Sequence, residues 1–519
     1  MIRHLIILTL ALFLLAPPGQ ALAHAVGQSQ DLPLPFWLYL FGASAVVAIS
    51  FVQISLFVAE EHTPGQYPRL NLLAIGPLRV VLTSWPLLLV LRLLSVALFL
   101  LVVLSGLFGV QVADQNLAPI FVWIIWWVSL IFFTALVGNI WSLVNPWKIL
   151  FEWAEKLAER LRVKKDLELS EPYPTSLGIW PALVLYGAFV WTETVFSGAS
   201  TPFNVALFAL LYSGLTWTGM VFFGKETWLR RGEAFSVLAD LLAKFAPSEV
   251  RVTNTRLCEE CSGICPATEG GCVNCYECFA QAAPEDRELN IRPWAVGLSL
   301  PEQASADRLV FIIFVLASVA YHSLVETTLW TQITRGTGGT SIPKTLGLIV
   351  LPLVFLAIYL GFMKLSQVFV GVSLGFRKLN QLFGKGYAPY RDQIPVRRLA
   401  EAYVYSLVPI AVAYYVAHYY TYLLIQGQAA IRLLSDPFGW GWDLFGTSGY
   451  QIDASFISPN FVWGSQIAVI IAGHVVALYL AHLVALRLLR NHKLAMLSQY
   501  PMLALMVLYT CFSLWLLSQ

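Results

Sequence analysis

Charged residues are scarce in this chain: they make up 12% of its 519 residues, against about 25% in a soluble domain. The net charge of +2 leaves no basic surface for nucleic acid, so a nucleic-acid-binding protein is excluded. The sequence also lacks a P-loop, a G-x-G-x-x-G or G-x-S-x-G motif and any internal repeat. Hydrophobic residues make up 58%, which indicates a protein that crosses a membrane many times.

Apolar runs long enough to cross a bilayer occur ten times, since a span takes about 20 residues. They lie near residues 36–59, 84–110, 119–143, 178–196, 203–223, 309–330, 345–363, 402–425, 462–486 and 500–518. The sequence therefore predicts an all-α fold, a polytopic transmembrane bundle of about ten helices. Helices one to five fall in 24–224, a Cys-rich loop in 225–307, and helices six to ten in 308–519, with a long loop at 426–461.

The N-terminus has the pattern of an export signal. A short basic segment precedes an apolar run from Leu5 to Ala16 and the small-residue site Ala21-Leu22-Ala23. We expect residues 1–23 to be removed as a signal peptide, because about 12 apolar residues are too few to serve as an uncleaved spanning anchor. The mature chain then begins at His24.

Lysine and arginine are distributed unevenly between the loops. Of the 32 such residues, 27 fall in loops on one side of the predicted spans and 3 on the other. The positive-inside rule then makes 225–307 cytoplasmic, and 426–461 and the mature N-terminus periplasmic, in a bacterial inner membrane. The lipid bilayer is therefore one expected partner.

Two of the predicted cytoplasmic segments, 147–162 and 228–245, alternate large apolar residues with charged ones at helical spacing. This pattern is typical of amphipathic helices that lie on a membrane surface. We expect interfacial anchoring for both segments, ahead of the alternative that they dock a partner protein.

Six of the seven cysteines fall within 21 residues, and these are Cys258, Cys261, Cys265, Cys272, Cys275 and Cys278. In a reducing cytoplasm, clustered thiols are usually metal ligands rather than disulfides. One interpretation is an iron–sulfur cluster held by Cys272, Cys275 and Cys278 with Cys265. Another is a zinc site that pairs Cys258-x2-Cys261 with Cys275-x2-Cys278. Neither uses all six thiols, and disulfides or free thiols are the third alternative.

Ionisable residues inside a bilayer are costly and are often functional. A rise of about 1.5 Å per residue puts His322, Glu326, Glu193 and His418, from three helices, at similar heights in the outer leaflet. His24 lies above them if the signal is cleaved. We expect a divalent transition metal (Zn, Cu or Fe) held by these imidazoles and a carboxylate. Separate hydrogen-bonded core residues, or a His–Glu proton or substrate path, are the alternatives.

The loop 426–461 carries Trp440 and Trp442 among glycines, just past His418. This composition predicts a pliable aromatic lid over an apolar site, in which the two indoles contact the leaving group of a substrate. An aromatic belt at the membrane interface explains the two tryptophans equally well.

Several stretches of the chain carry a resemblance to a known family. They are His24-Ala25-Val26-Gly27-Gln28, Asp31-Leu32-Pro33-Leu34-Pro35, Gly138-Asn139-Ile140-Trp141 with Asn145-Pro146-Trp147, Trp191-Thr192-Glu193, Gly232-Glu233-Ala234-Phe235-Ser236 and Arg292-Pro293-Trp294-Ala295-Val296-Gly297. Over most of its length the chain resembles the bacterial polytopic membrane proteins named fenitrothion hydrolase. The resemblance implies an inner-membrane protein that supports cleavage of a phosphorothioate triester, alone or with partner membrane subunits.

Metal-dependent hydrolysis of an apolar small-molecule ester is the function that we expect from this combination. The metal would activate water and polarise the phosphoryl oxygen, with Glu193 and Glu326 as ligands or general base. Two other functions stay open. One is electron transfer between a cytoplasmic iron–sulfur centre and an outer metal or quinone, and the other is transport or assembly of a metal cofactor.

The predicted orientation can be tested by labelling single cysteines in intact cells, in a background that lacks the native thiols. An impermeant thiol reagent should label Ser448→Cys, in the predicted periplasmic loop, and should not label Ser262→Cys. Labelling of Ser262→Cys from outside would reverse the topology, and with it the argument for metal ligands over disulfides.

Overall fold

The computed structural model describes residues 35–58, 67–162, 167–259, 261, 267–268, 271–300, 304–337, 341–381, 394–489 and 492–519. The predicted signal peptide, His24 and Cys265 lie outside these ranges. Ten helices are long and apolar enough to span a membrane: Phe36–Phe57, Gly76–Phe108, Leu117–Leu136, Thr175–Thr194, Pro202–Phe223, Ala306–Val325, Ser341–Gly371, Val396–Ser435, Pro459–Leu489 and His492–Leu517. We number them span 1 to span 10. The all-α fold and all ten predicted spans are confirmed.

Two spans end earlier than the apolar runs predict. Span 3 stops at Leu136 rather than near 143, and the Asn139 side chain accepts a hydrogen bond from the backbone N–H of Ser142 (3.1 Å), starting the short helix Trp141–Val144. Span 6 stops at Val325 rather than near 330, because the Thr327 hydroxyl caps a new helix, Thr328–Ile333. In both cases a polar side chain accepts a hydrogen bond from the backbone of the short helix that follows, and the span ends before that helix.

A small antiparallel sheet, which the sequence analysis does not predict, surrounds the cysteines. Its five strands are β1 (Leu70–Asn71), β2 (Ser248–Val252), β3 (Ala267–Thr268), β4 (Gly271–Val273) and β5 (Arg287–Ile291), in the order β1-β5-β2-β4-β3. The short helices Thr255–Glu259 and Tyr276–Gln281 carry cysteines beside it. Because β1 follows span 1 and the other strands follow span 5, both loops lie on one side of the bundle, here called the Cys side.

Loops on the opposite side also contact one another. The N–H groups of Val110 and Leu117, between spans 2 and 3, donate to the carbonyls of Phe438 (2.8 Å) and Pro437 (3.1 Å), which follow span 8. The two sides therefore separate as alternate crossing of the membrane requires. That the Cys side faces the cytoplasm stays a prediction from the loop charges.

One of the two segments that we expect to lie on the membrane surface is instead buried in the bundle. The segment 147–162 forms the helix Pro146–Arg160, whose first half is buried and whose second half is largely exposed. The segment 228–245 forms two helices, Lys225–Arg231 and Ala234–Ala243, and eight of the ten residues in the second are buried. Ala234–Ala243, which we call the buried helix, packs inside the bundle rather than on the membrane surface, so the interfacial prediction is wrong for it.

The N-terminal end of the buried helix reaches the middle of the bundle. Phe235 contacts Trp126, at the midpoint of span 3, with ring centroids 4.7 Å apart, and Phe189 of span 4 at 5.0 Å. The Glu233 carboxylate, 0% exposed, accepts from the N–H groups of Phe235 (3.0 Å) and Ser236 (2.7 Å) and from the Tyr212 hydroxyl. An acidic N-cap therefore satisfies this helix start where water is absent.

The C-terminal end of the same helix is satisfied by a buried arginine. Arg292 Nη2 donates to the Ala243 carbonyl (3.1 Å), and Arg292 Nη1 donates to the Glu249 carboxylate (2.6 Å). The side chains of both members of this ion pair are 0% exposed. The Tyr67 hydroxyl donates to the same carboxylate (2.6 Å). The pair thus joins the buried helix, the sheet and the loop after span 1.

Replacing Arg292 should destabilise the protein strongly. Arg292→Met leaves the Glu249 carboxylate buried without its cation, which costs about 3–5 kcal/mol of unfolding free energy. The double variant Arg292→Met/Glu249→Leu should be less harmful than the single one, because it removes both charges. Thermal unfolding in detergent measures this. The control Arg397→Met, which breaks the exposed pair with Glu401, should leave the unfolding temperature nearly unchanged. Equal effects of the two arginine replacements would contradict the role of the buried pair.

Candidate metal centres

Two groups of potential metal ligands occur in the described part of the chain, on opposite sides of the bundle. The first is the His/Glu group: His322, Glu326 and His418. The second is the Cys cluster: Cys258, Cys261, Cys272, Cys275 and Cys278. Span 6 begins at Ala306, shortly after the Cys-rich segment, and rises about 30 Å over its 20 residues before reaching Glu326. The two groups therefore lie on opposite sides of the bundle, with span 6 crossing between them.

The His/Glu group is compact. One ligand atom of each of its three residues lies within 4.8 Å of the others. His322 Nδ1 and His418 Nε2 are 3.0 Å apart. The two nitrogens form a hydrogen bond with each other, and nitrogens bound to one ion at about 2.1 Å are separated by about 3.0–3.4 Å, so rotation of the rings would let both imidazoles bind the same ion. Both histidines are half-buried and Glu326 is exposed, so the group opens towards solvent at the end of span 6.

The second nitrogen of His418 already has a partner. His418 Nδ1 lies 3.1 Å from the Ser323 hydroxyl, which accepts a hydrogen bond from the Tyr414 hydroxyl at 2.9 Å. Metal-binding histidines are commonly oriented in this way by a hydrogen bond to the ring nitrogen that does not face the metal. Sequence reasoning missed Ser323 and the tyrosines, although the run of five tyrosines in 414–422 around His418 was a visible signal.

Glu193 lies beside the His/Glu group and is not one of its three residues. The Tyr419 hydroxyl donates to the Glu193 carboxylate at 3.3 Å. The Tyr419 ring in turn packs against both imidazoles, with centroids 4.6 Å from His418 and 5.5 Å from His322. Glu193 therefore reaches the group through a tyrosine. Whether Glu193 or Glu326 takes part in catalysis stays a prediction.

Trp440 and Trp442 pack together with Phe438 in one aromatic group. Their rings contact each other (5.1 Å) and Phe438 (4.5 and 5.5 Å). Phe438 is hydrogen-bonded through its backbone to the loop between spans 2 and 3. The described contacts thus anchor the loop that carries Trp440 and Trp442 to residues 109–117. The aromatic lid over the histidines stays a prediction.

The Cys cluster draws together thiols from both halves of the Cys-rich segment. Two triads, Cys258/Cys272/Cys278 and Cys261/Cys275/Cys278, each have their sulfurs within 4.8 Å of one another. Cys261 Sγ and Cys275 Sγ are 3.8 Å apart, and Cys275 Sγ and Cys278 Sγ are 3.3 Å apart. No disulfide joins the described cysteines. The thiols can therefore bind metal as they stand.

The sulfur spacing bears on the metal that the cluster can hold. Thiolates at about 2.3 Å around one tetrahedral ion are separated by roughly 3.8 Å. The Cys261–Cys275 pair matches this value, while Cys275–Cys278 (3.3 Å) and Cys258–Cys272 (2.7 Å) are closer together. A cubane iron–sulfur cluster holds its ligand sulfurs farther apart, because each binds a different iron. The triad Cys261/Cys275/Cys278, which takes one thiol from the first CxxC pair and two from the second, is therefore compact enough to hold a single ion.

An arginine that sequence reasoning missed lies against the thiols. Arg230 Nη2 is 3.2 Å from Cys275 Sγ and 2.7 Å from the Glu277 carboxylate. Hydrogen bonding from Cys272, outweighing the opposing effect of burial and aided by the Cys278 N–H and the Arg230 charge, lowers the pKa of the Cys275 thiol to about 4. Because the thiolate is the metal-binding form, Cys275 is ready to bind at neutral pH without releasing a proton.

Comparisons with protein-family models, with curated proteins and with solved structures find no match to this chain. The functional argument therefore depends on the two groups themselves. What is established is a multi-pass, helical membrane protein with a Cys cluster and a His/Glu group that could each hold a metal ion.

Replacing Cys275 should remove metal from the Cys cluster. Cys275→Ser should lose bound metal and give less folded protein, because metal bound by thiolates contributes its binding free energy to folding. The control Cys511→Ser should do neither, since the Cys511 thiol lies in span 10, where its contact is the Ser44 hydroxyl at 3.3 Å. Elemental analysis of the purified proteins measures the difference. Equal metal content in Cys275→Ser and the unaltered chain would remove Cys275 from the ligand set.

Proposed function

We propose that this protein is an integral-membrane metalloprotein that moves single electrons between a thiolate-bound ion at the Cys cluster and a second ion at the His/Glu group. The observation that carries the proposal is that two compact sets of ligands lie on opposite sides of one helical bundle. A purely structural metal site needs no counterpart across the bilayer. Two sites so placed are suited to transfer across it.

The ligand types favour different metals at the two ends. Soft thiolates select iron or zinc, while two imidazoles and a carboxylate suit copper, iron or zinc. Zinc has no redox chemistry, so electron transfer requires iron at the Cys cluster and copper or iron at the His/Glu group. The Arg230 guanidinium beside Cys275 offsets negative charge on the thiolates and so favours the reduced form of an iron site.

Hydrolysis is the second candidate. Two histidines and one glutamate leave coordination positions open for water, as catalytic zinc sites do, and the half-buried imidazoles and exposed carboxylate admit a substrate. This arrangement, with the resemblance to fenitrothion hydrolases, supports a metal-activated water that attacks a phosphorothioate triester. In that function Glu326 is a ligand or general base, and the Cys cluster is structural.

Metal analysis of histidine variants tests the site that both candidates share. His322→Ala and His418→Ala should each lose the metal of the His/Glu group and keep that of the Cys cluster. The double variant should be scarcely worse than either single one, because ligands of one ion act as a unit. Retention of the full metal content by the double variant would contradict the site.

The identity of the metals and a hydrolysis assay then separate the two functions. Iron at the Cys cluster, with copper or iron at the His/Glu group, supports electron transfer, whereas zinc at both sites contradicts it. Hydrolysis of a phosphorothioate triester by the zinc-loaded protein, lost in Glu326→Gln, would establish the second candidate instead. Thr327→Ser, at a helix cap next to Glu326, is the matched control that should leave the hydrolysis rate unchanged.

A further inference from the structure

The Cys cluster contains more thiols than one ion can bind. Its five described thiols form two triads, Cys261/Cys275/Cys278 and Cys258/Cys272/Cys278. A tetrahedral ion accepts at most four ligands. An ion held by the first triad therefore leaves Cys258 and Cys272 outside its ligand set, although these residues are only 6% and 0% exposed.

The two thiols of the first CxxC pair face different partners. Cys261 Sγ lies 3.8 Å from Cys275 Sγ, whereas Cys258 Sγ lies 2.7 Å from Cys272 Sγ. The short helix Thr255–Glu259 packs against β4 and so brings Cys258 to Cys272, which lies on that strand. Cys258 and Cys261 are thus directed to two neighbouring places rather than to a single ion.

Cys278 is the thiol that the two triads share. It lies in the helix Tyr276–Gln281, one turn after Cys275, and the sulfurs of these two residues are 3.3 Å apart. Cys278 is 1% exposed. A thiolate sulfur keeps further lone pairs after it binds one ion, so it can bind a second ion at the same time. Cys278 is therefore positioned to bridge two ions.

The balance of charge allows a second ion in this buried position. A divalent ion bound by Cys258 and Cys272 brings two positive charges and displaces one proton from each thiol, so the net charge of the cluster does not change. Three thiolates and one divalent ion leave one negative charge at the first triad. The Arg230 guanidinium lies beside that triad, with Nη2 3.2 Å from Cys275 Sγ, and is shared with the Glu277 carboxylate at 2.7 Å.

We propose that the Cys cluster is a binuclear site, in which the Cys278 thiolate bridges an ion bound by Cys261 and Cys275 to a second ion bound by Cys258 and Cys272. The ions are thiophilic, such as Zn(II) or Fe(II), because all five of these ligands are sulfurs. The Cys258 and Cys272 sulfurs move from 2.7 Å to roughly 3.8 Å apart when they bind one ion, by rotation of the two side chains. This inference takes from the proposed function only that the Cys cluster binds metal, so it applies to electron transfer and to hydrolysis alike.

The experiment counts ions in the full-length protein in detergent, with any affinity tag removed. His322→Ala and His418→Ala are introduced first, so that the His/Glu group contributes no metal. Metal is stripped under reducing conditions, Zn(II) is added back, and free Zn(II) is removed. Elemental analysis should then find two Zn(II) ions per chain. In protein loaded with the spin-active isotope of cadmium instead, nuclear magnetic resonance should show two cadmium signals, coupled to each other through the Cys278 sulfur.

Single replacements in the same background separate the two ions. Cys258→Ser should keep only the ion of the first triad, and Cys261→Ser should keep only the other ion. Cys278→Ser should lose metal from both triads. The matched control Cys511→Ser, which removes the thiol in span 10, should keep both ions. If Cys278→Ser does not fold, the coupling between the cadmium signals of the unaltered cluster tests the bridge without it.

Three results would overturn the binuclear site. They are a single Zn(II) ion per chain, two cadmium signals without mutual coupling, and a disulfide between Cys258 and Cys272, detected as two fewer titratable thiols in the reduced protein. Each of these leaves the proposed function intact. That function fails separately, if the Cys cluster binds no metal at all or if the isolated protein carries zinc at both of its metal centres.

Discussion

The buried ion pair of Arg292 and Glu249 is the interaction on which the two halves of this structure depend. A helix that ends inside a bundle leaves carbonyl groups without water to bind them, which is costly in a dry interior. Arg292 meets that need for the buried helix by donating to the Ala243 carbonyl. Its own charge then requires a partner, which Glu249 on β2 supplies. The sheet cannot separate from the bundle without exposing these groups.

The Arg292–Glu249 pair explains how the Cys-rich sheet is held against the bundle. The buried helix fixes Glu233 and Phe235 among the aromatic residues at mid-depth, while its neighbour Lys225–Arg231 brings Arg230 to the thiols. The buried helix, which directly precedes the Cys-rich sheet in the chain, is therefore packed against span 3 and span 4.

The candidate sites were predictable to different degrees. The heights of His322, Glu326 and His418 followed from the helical rise and the span boundaries, and the structure places all three within 4.8 Å. Which thiols share an ion did not follow, because spacing along the chain allowed two ligand sets. Arg230 and Ser323 were not foreseen, since neither stands in a recognisable motif. The prediction that Ala234–Ala243 lies on the membrane surface is wrong, because the charged residues on either side of this helix give the segment an amphipathic pattern although the helix itself is buried.

The sequence by itself determined the ten spans and the separation of the cysteines from the intramembrane histidines. Both follow from local properties: apolar runs of sufficient length must cross a bilayer, and alternate crossing fixes which loops share a side. Only the tertiary structure decided that Ala234–Ala243 enters the bundle, that β1 joins the Cys-rich sheet, and that the side chains of His322 and His418 meet. These features depend on which faces of distant helices meet. Side-chain packing and the pairing of buried polar groups determine which faces meet. Neither can be deduced from the sequence of one helix taken alone.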